Sequence, residues 1–309
     1  MHIFFVMASS FSKVVSPLLL LSGLAALTYG SICWALYSYQ TKLIFRPLPT
    51  LISTPAEAGI AYEDVWIPVS QINEANQVVT QTLHGWWLPN PSSDRTLLFC
   101  HGNYGNISYN LERIRFHHSL GFSVLAFDYR GYGLSDGPYP SEQATYADAE
   151  AAWHYLVNQR QISPDNITVM GHSIGGAIAI DLAIRQPSMA HLIVKSSFTT
   201  MRDAIVAKDI YRLFPIEQLL TEPFDSLSKV SQLQVPVLYI HGDQDVDVPF
   251  DLSQALYDAS PEPKWIWFAA GATHNNISNI QGDAYREVVQ NFCQDVRRSP
   301  RIVRDLSVV

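Results

Sequence analysis

The sequence has 309 residues, 48% of them hydrophobic and only 16% charged, against about 25% charged residues in an ordinary soluble domain. This composition excludes an intrinsically disordered chain, and 20 Lys and Arg against 28 Asp and Glu exclude a nucleic-acid-binding polycation. A formal net charge of −8 draws neither nucleic acid nor an anionic lipid surface by overall field, so the expected partner is a small molecule or a lipid.

In chain order, residues 1–16 form a short N-terminal segment, followed by a stretch in which charge disappears. The 28 residues from Val14 to Thr41 contain no Asp, Glu, Lys, Arg or His. About 20 apolar residues suffice for a helix to cross the hydrocarbon of a bilayer. The run therefore predicts a single transmembrane helix over residues 17–39, with Trp34, Tyr37 and Tyr39 as an aromatic belt at one end. A cleaved secretory signal is the competing reading, but its apolar region is shorter, roughly 7 to 15 residues, and ends at a small-residue cleavage site that is missing here. Lys13 stands on one side of the span and Lys42 and Arg46 on the other, a bias that favours a cytoplasmic C-terminal domain. Asn-x-Ser/Thr triplets at Asn106, Asn166 and Asn276 matter only in a eukaryotic secretory pathway.

Residues 40–59, rich in proline, read as a linker, and residues 60–297 as a catalytic domain. Two β-patterned runs, Tyr62–Val69 and Thr82–Leu88, form an expected antiparallel pair at the start of a sheet. From Thr96 onwards, apolar runs of about five residues alternate with longer amphipathic stretches, the pattern of βαβ units around a mostly parallel, twisted sheet flanked by helices. Strands are expected at Thr96–Cys100, Ser123–Phe127, Ile167–Met170, Leu192–Lys195, Val235–Ile240 and Trp265–Ala269. Helices are expected at Leu111–Leu120, Ser141–Arg160, Gly175–Arg185, Phe250–Ala259 and Asp283–Val296. The connection 198–230 is long and carries large apolar residues such as Met201, Ile210, Leu213 and Phe214, which marks it as a lid insertion. Residues 298–309 are a polar tail. Cys33, Cys100 and Cys293 fit buried apolar positions rather than disulfides, and no Cys/His spacing suits zinc, so no metal is expected.

The chemistry concentrates in NITVMGHSIGGAIAI, residues 166–180. Here Gly171-His172-Ser173-Ile174-Gly175 lies between a β-branched strand and a small-residue helix. G-x-S-x-G in that setting is a sharp strand-to-helix turn that lifts the serine hydroxyl above the sheet edge and aims the helix N-terminus at the same point. A serine at its free pKa needs an imidazole to take its proton and a carboxylate to orient that imidazole. The chain order on such a sheet is Ser, then Asp or Glu, then His. Asp245, in the loop after the strand of VPVLYIHGDQDVDVP, is the expected acid, with Asp243 and Asp247 as rivals. His274, after the last apolar strand, is the expected base. Of the other histidines, His101 and His241 end strands as His-Gly and read as structural, while His172 should point away from the direction Ser173 takes. Backbone N–H groups of Ile174 and Asn103 are the expected oxyanion donors, with Tyr104 second to Asn103.

LLFCHGNYGN, FDYRGYGLSDG, GHSIGG, IHGDQDVDVP and GATHNN occur in this order, and together they resemble the α/β-hydrolase superfamily over residues 60–297. The membrane-proximal TKLIFRP and the HGNYGN loop look more narrowly like single-pass membrane-anchored hydrolases related to eukaryotic protein depalmitoylases and their bacterial counterparts. The chain departs from the palmitoyl-thioesterase subgroup in lacking an N-terminal cysteine cluster. The resemblance implies a structural Asp128 and, with serine as nucleophile, an acyl-enzyme from an ester, thioester or amide, with no cofactor.

The sequence thus predicts a membrane-anchored serine hydrolase acting on an acyl or lipid-like substrate, which includes an acylated protein. Two alternatives stand beside it. One is a peptidase of the same fold, for which Asp203, Asp209, Glu217 and Glu222 would supply an amine-binding acidic cluster. The other is a non-catalytic receptor or scaffold, which would require a broken triad.

Overall fold

In the computed structural model, residues 3–72 and 76–298 are described, with side chains for 19–71 and 76–294. A 42-residue helix, α1 (Ile3–Ile44), leads into the domain. Its stretch Leu19–Ile44 has a mean hydropathy of 1.7, long and apolar enough to cross a membrane. The helix outlasts the expected span, and its end enters the domain: Gln40, Ile44 and Phe45 are buried. Residues 40–59, expected as a linker, hold structure of their own. Arg46–Pro47 pairs in parallel with Tyr104–Gly105, and Asn106 donates from Nδ2 to the carbonyls of Leu48 and Thr50.

The domain is built on an eight-stranded sheet. Its strands are β1 (Glu63–Ile72), β2 (Val78–Leu88), β3 (Thr96–Cys100), β4 (Ser123–Phe127), β5 (Ile167–His172), β6 (His191–Lys195), β7 (Val237–Gly242) and β8 (Lys264–Ala269). Their spatial order is β8-β7-β6-β5-β3-β4-β2-β1, with β2 antiparallel to both its neighbours, β1 and β4, and every other pairing parallel. The strands lie within one or two residues of their expected limits, except that the hairpin runs longer on both arms.

The parallel strands read as unbroken apolar runs because both faces are covered. Successive side chains alternate between two cores. Leu98, Leu125, Val169 and Val194 pack on one side under α3 (Glu142–His154) and α4 (Ile174–Arg185). Leu97, Val124, Met170 and Ile193 pack on the other against α2 (Leu111–Ser119) and α10 (Gly282–Arg298). Ser141 caps α3 by accepting the Ala144 N–H. The helix expected to continue to Arg160 instead ends at His154 and passes into a π turn, Tyr155–Gln159. There Arg160 bonds the Tyr155 hydroxyl and Glu63 and lies over the Trp87 ring. Four short helical pieces occupy 198–230, namely α5 (Met201–Val206), a 3₁₀ turn (Asp209–Leu213), α6 (Ile216–Leu219) and α7 (Leu227–Val230). Beyond them, α8 (Asp251–Ala259) and α9 (Ile277–Ile280) flank β8.

Candidate active site

The carboxyl ends of β3, β5, β7 and β8 bring together residues far apart in the chain. The turn after β5 holds Ser173 at φ 57°, ψ −122°, left-handed backbone that a side-chain-bearing residue adopts only when its surroundings compel it. The compulsion is visible in its bonds. The Ser173 N–H donates to the Lys195 carbonyl at 2.9 Å, and its own carbonyl accepts from the Gly176 N–H and the Ser197 hydroxyl, each at 2.9 Å. The flanking glycines are obligatory: a Cβ on Gly171 would overlap the Gly175 carbonyl, and one on Gly175 the Cys100 carbonyl. Ile174 opens α4, so the helix itself offers its N–H no acceptor.

His274, in the loop after β8, reaches Asp245, in the loop after β7, with Nδ1 2.7 Å from Oδ2. The same oxygen also receives His241 Nε2 at 3.0 Å. Oδ1 accepts the N–H groups of Asp247 at 3.0 Å and Val248 at 2.9 Å. Burial opposes ionisation of Asp245, but the hydrogen bonds from His241 and His274 outweigh it and hold the carboxyl well below the usual carboxylate range. The rivals have other partners. Asp243 accepts the Gly271 N–H, and Asp247 is exposed, 3.9 Å from the Lys208 ammonium.

A cavity of about 850 Å³ contains Ser173, His274, Ile174, Gly102 and Asn103 in its lining. Gly102 lies against the turn, since a Cβ there would stand 3.6 Å from that of Ser173. The Asn103 side chain turns to α1 and donates to the Ile44 carbonyl at 2.8 Å, while its own carbonyl accepts from the Arg46 N–H and the Tyr132 hydroxyl. Asn103 itself belongs to the cavity lining. Tyr104 also lines the cavity, with the Arg46 guanidinium 5.0 Å from its ring. Asp128 is buried away from the cavity, accepting the Ile107 N–H at 2.8 Å and lying 3.4 Å from His101.

The rest of the wall has two sources. The segment 198–230 supplies Phe198, Met201, Ile205, Tyr211 and Leu219, and the end of α1 supplies Leu36, Gln40, Leu43 and Ile44. Gln40 ties the two together, donating to the Leu219 carbonyl at 2.9 Å and accepting the Thr221 N–H at 2.7 Å.

Several groups at the site carried no signal in the sequence. His172 does not point away; it lines the cavity with its ring 5.0 Å from that of His274, and Nε2 approaches Asn275 Oδ1 at 3.3 Å. Because β5 runs two residues past its expected end, His172 belongs to the strand rather than the turn. Burial, aided by Arg113, Lys195 and His274, drives its pKa well below the usual value, so it sits there as a neutral ring. Arg113, on α2, donates to Asn110 at 3.0 Å and to Asn275 at 2.7 Å. Lys195 is buried, and burial with the Arg113 charge brings its pKa down to about 7. None of Asp203, Asp209, Glu217 and Glu222 belongs to the cavity lining, whose acid among the described residues is Asp247. No group of three or more His, Cys, Asp or Glu among the described residues is placed to hold a metal ion.

Comparison with known proteins agrees with this architecture. Residues 95–218 match the family model of the alpha/beta hydrolase fold. The alpha/beta hydrolase domain-containing protein WAV2 of Arabidopsis thaliana is 30% identical over 283 residues, covering 84% of this chain and 89% of that protein. The alpha/beta hydrolase domain-containing protein 17C of Mus musculus is 36% identical over 194 residues, 60% of this chain and 56% of that protein. Among solved structures, the esterase Pf2001 of Pyrococcus furiosus superposes with a TM-score of 0.67 at 23% identity, covering 82% of this chain and 98% of that one. On its strand order, its strained serine turn and these likenesses, the chain belongs to the α/β-hydrolase family.

Proposed function

We propose that this protein is a membrane-anchored serine hydrolase that cleaves an ester or thioester of an acyl or lipid-like substrate. The observation that carries the reading is the hydrogen bond from His274 to the buried Asp245, with His274 and Ser173 lining one cavity that is walled largely by apolar side chains. In this reading Ser173 Oγ attacks the acyl carbonyl while His274 Nε2 takes its proton. Asp245 fixes the tautomer by accepting from Nδ1 and stabilises the imidazolium that forms. The N–H groups of Ile174 and Asn103 bind the oxyanion, each worth about 2.7–4 kcal/mol in the transition state. His274 returns the proton to the leaving oxygen or sulfur. Water, deprotonated by the same histidine, then attacks the acyl-serine carbonyl and releases the carboxylic acid and free Ser173.

The apolar wall contributed by α1 and the 198–230 segment favours an acyl chain over a small polar acid. An acylated protein presented at the membrane would fit as well as a lipid ester. The Lys and Arg asymmetry around the span favours a cytoplasmic catalytic domain.

A fluorophosphonate probe tests the nucleophile. Labelling of the full-length protein that disappears in Ser173→Ala supports the assignment; no labelling, or equal labelling of the variant, defeats it. Turnover of short- and long-chain esters, a thioester and an aminoacyl amide then ranks the leaving groups. Inactivity towards all of them would favour the receptor reading.

A further inference from the structure

The anchor helix and the 198–230 segment meet well before the helix reaches the domain. The Tyr29 hydroxyl donates to the Leu213 carbonyl at 3.0 Å, and the Tyr29 ring stacks on Phe214 with centroids 5.7 Å apart. Tyr29 lies within the charge-free stretch Val14–Thr41. At 1.5 Å per residue those 28 residues extend about 42 Å, some 12 Å more than the hydrocarbon of a bilayer. With Val14 at one boundary of an upright helix, the other falls near Trp34, where the aromatic belt begins. Tyr29 then lies five residues, about 7 Å, inside that boundary. A tyrosine hydroxyl at that depth needs a protein acceptor, and the Leu213 carbonyl provides one.

The part of the chain that meets Tyr29 is built for such a place. In the 3₁₀ turn Asp209–Leu213, Ile210 and Leu213 stand three residues apart, so they share one face. Both are more than 60% exposed, and neither lines the cavity. Tyr211, between them, does line it. The charged members of the turn, Asp209 and Arg212, pair with each other at 3.4 Å, and the long arginine stem lets its guanidinium reach towards the headgroups.

We propose that the turn Asp209–Leu213 inserts into the bilayer beside α1 and holds the cavity mouth at the membrane surface, so that an acyl chain passes between α1 and this turn without crossing water. The occupant of the exposed Ile210–Leu213 face is thus the acyl region of the lipid, continuous with the surface of α1. The inference rests on the membrane-anchored acyl hydrolase reading above and adds the route by which substrate arrives.

The test uses the full-length protein in phosphatidylcholine vesicles, with Cys33→Ala removing the half-buried thiol and leaving the buried Cys100 and Cys293. An environment-sensitive fluorophore is attached at Ile210→Cys and, as a control, at Asp165→Cys, which precedes β5 at the opposite end of the sheet from Ser173. The expected result is quenching by nitroxide-labelled lipid and protection from iodide at position 210, with the reverse at 165. Iodide quenching as strong at 210 as at 165 overturns insertion, whether or not Ser173 proves to be the nucleophile.

The route is read from the double variant Ile210→Ser/Leu213→Ser. Its kcat/KM on a water-soluble short-chain ester should stay within about twofold, while turnover of a long-chain substrate in vesicles falls at least tenfold. An equal effect on both substrates overturns the route. Failure of the catalytic reading looks different, because the unsubstituted protein would then turn over neither.

Discussion

His274 and Asp245, 29 residues apart in the chain, are joined by a 2.7 Å hydrogen bond from Nδ1 to Oδ2. The same carboxylate draws on His241 and on two backbone N–H groups, so it is ionised in place before any substrate arrives. Asp245→Asn would keep the size of the side chain but can present an N–H to His274, which forces the wrong tautomer. The expected loss in kcat is of the order of 10⁴, with KM little changed. Circular dichroism should report an intact fold. A loss under tenfold would mean that another acid supports His274.

The strain at Ser173 yields a prediction of opposite signs for activity and stability. A left-handed, side-chain-bearing residue costs about 1–3 kcal/mol, which glycine relieves at an entropic cost of about 0.5–1 kcal/mol. Ser173→Gly should therefore be inactive yet as stable as the parent or more so by about 1 kcal/mol, measured by the thermal midpoint in detergent. By contrast, Gly175→Ala places a methyl on the Cys100 carbonyl and should cost more than 3 kcal/mol or prevent folding.

These residues also show what a sequence can display. Ser173, Asp245 and His274 could be picked out because each follows a strand of the parallel part of the sheet and occupies a loop whose position is dictated by chain order. The strands themselves were legible because burial on both faces leaves unbroken apolar runs. His172 and Arg113 were not, since nothing local marks a side chain that packs against a loop 100 or more residues away. The end of α1 as a cavity wall was hidden for a related reason. A charge-free run looks the same whether lipid or protein surrounds it, and what sets Gln40 apart is that it bonds, besides the Tyr37 carbonyl of its own helix, backbone groups of a distant segment at Leu219 and Thr221.

Gln40 is therefore the place to separate the wall from the proposed catalytic groups. Gln40→Leu keeps the volume and removes the bonds to the 198–230 segment together with that to the Tyr37 carbonyl, leaving the Leu219 carbonyl and the Thr221 N–H without their partner at a cost of about 1–3 kcal/mol. Hydrogen exchange at the Thr221 amide should accelerate at least tenfold. KM for long-chain esters should rise with kcat for a short-chain ester unchanged. A matching drop in short-chain kcat would show that Gln40 supports the catalytic groups rather than the wall.

Lys195 links the site to the pH dependence of stability. Its ammonium is buried at the end of β6, 5.6 Å from the Tyr285 ring and close to Arg113. Burial first, then Arg113, brings its pKa from the ordinary 10.5 to about 7, against an opposing pull from Asp245. Between those values the unfolded chain holds a proton that the native state lacks, so this group makes stability rise with pH by up to about 1.4 kcal/mol per unit. Below pH 7 both states are protonated, the slope vanishes, and the native state carries the full cost of the buried charge. Lys195→Met retains the stem and removes the charge. It should be more stable than the parent at pH 6, by at most about 5 kcal/mol, with the gap closing steadily towards pH 10. Thermal midpoints of both proteins in detergent from pH 6 to 10 measure that gap. A difference that stays constant with pH would mean that Lys195 keeps its proton in the native state, and that the charge next to His172 persists throughout the working range.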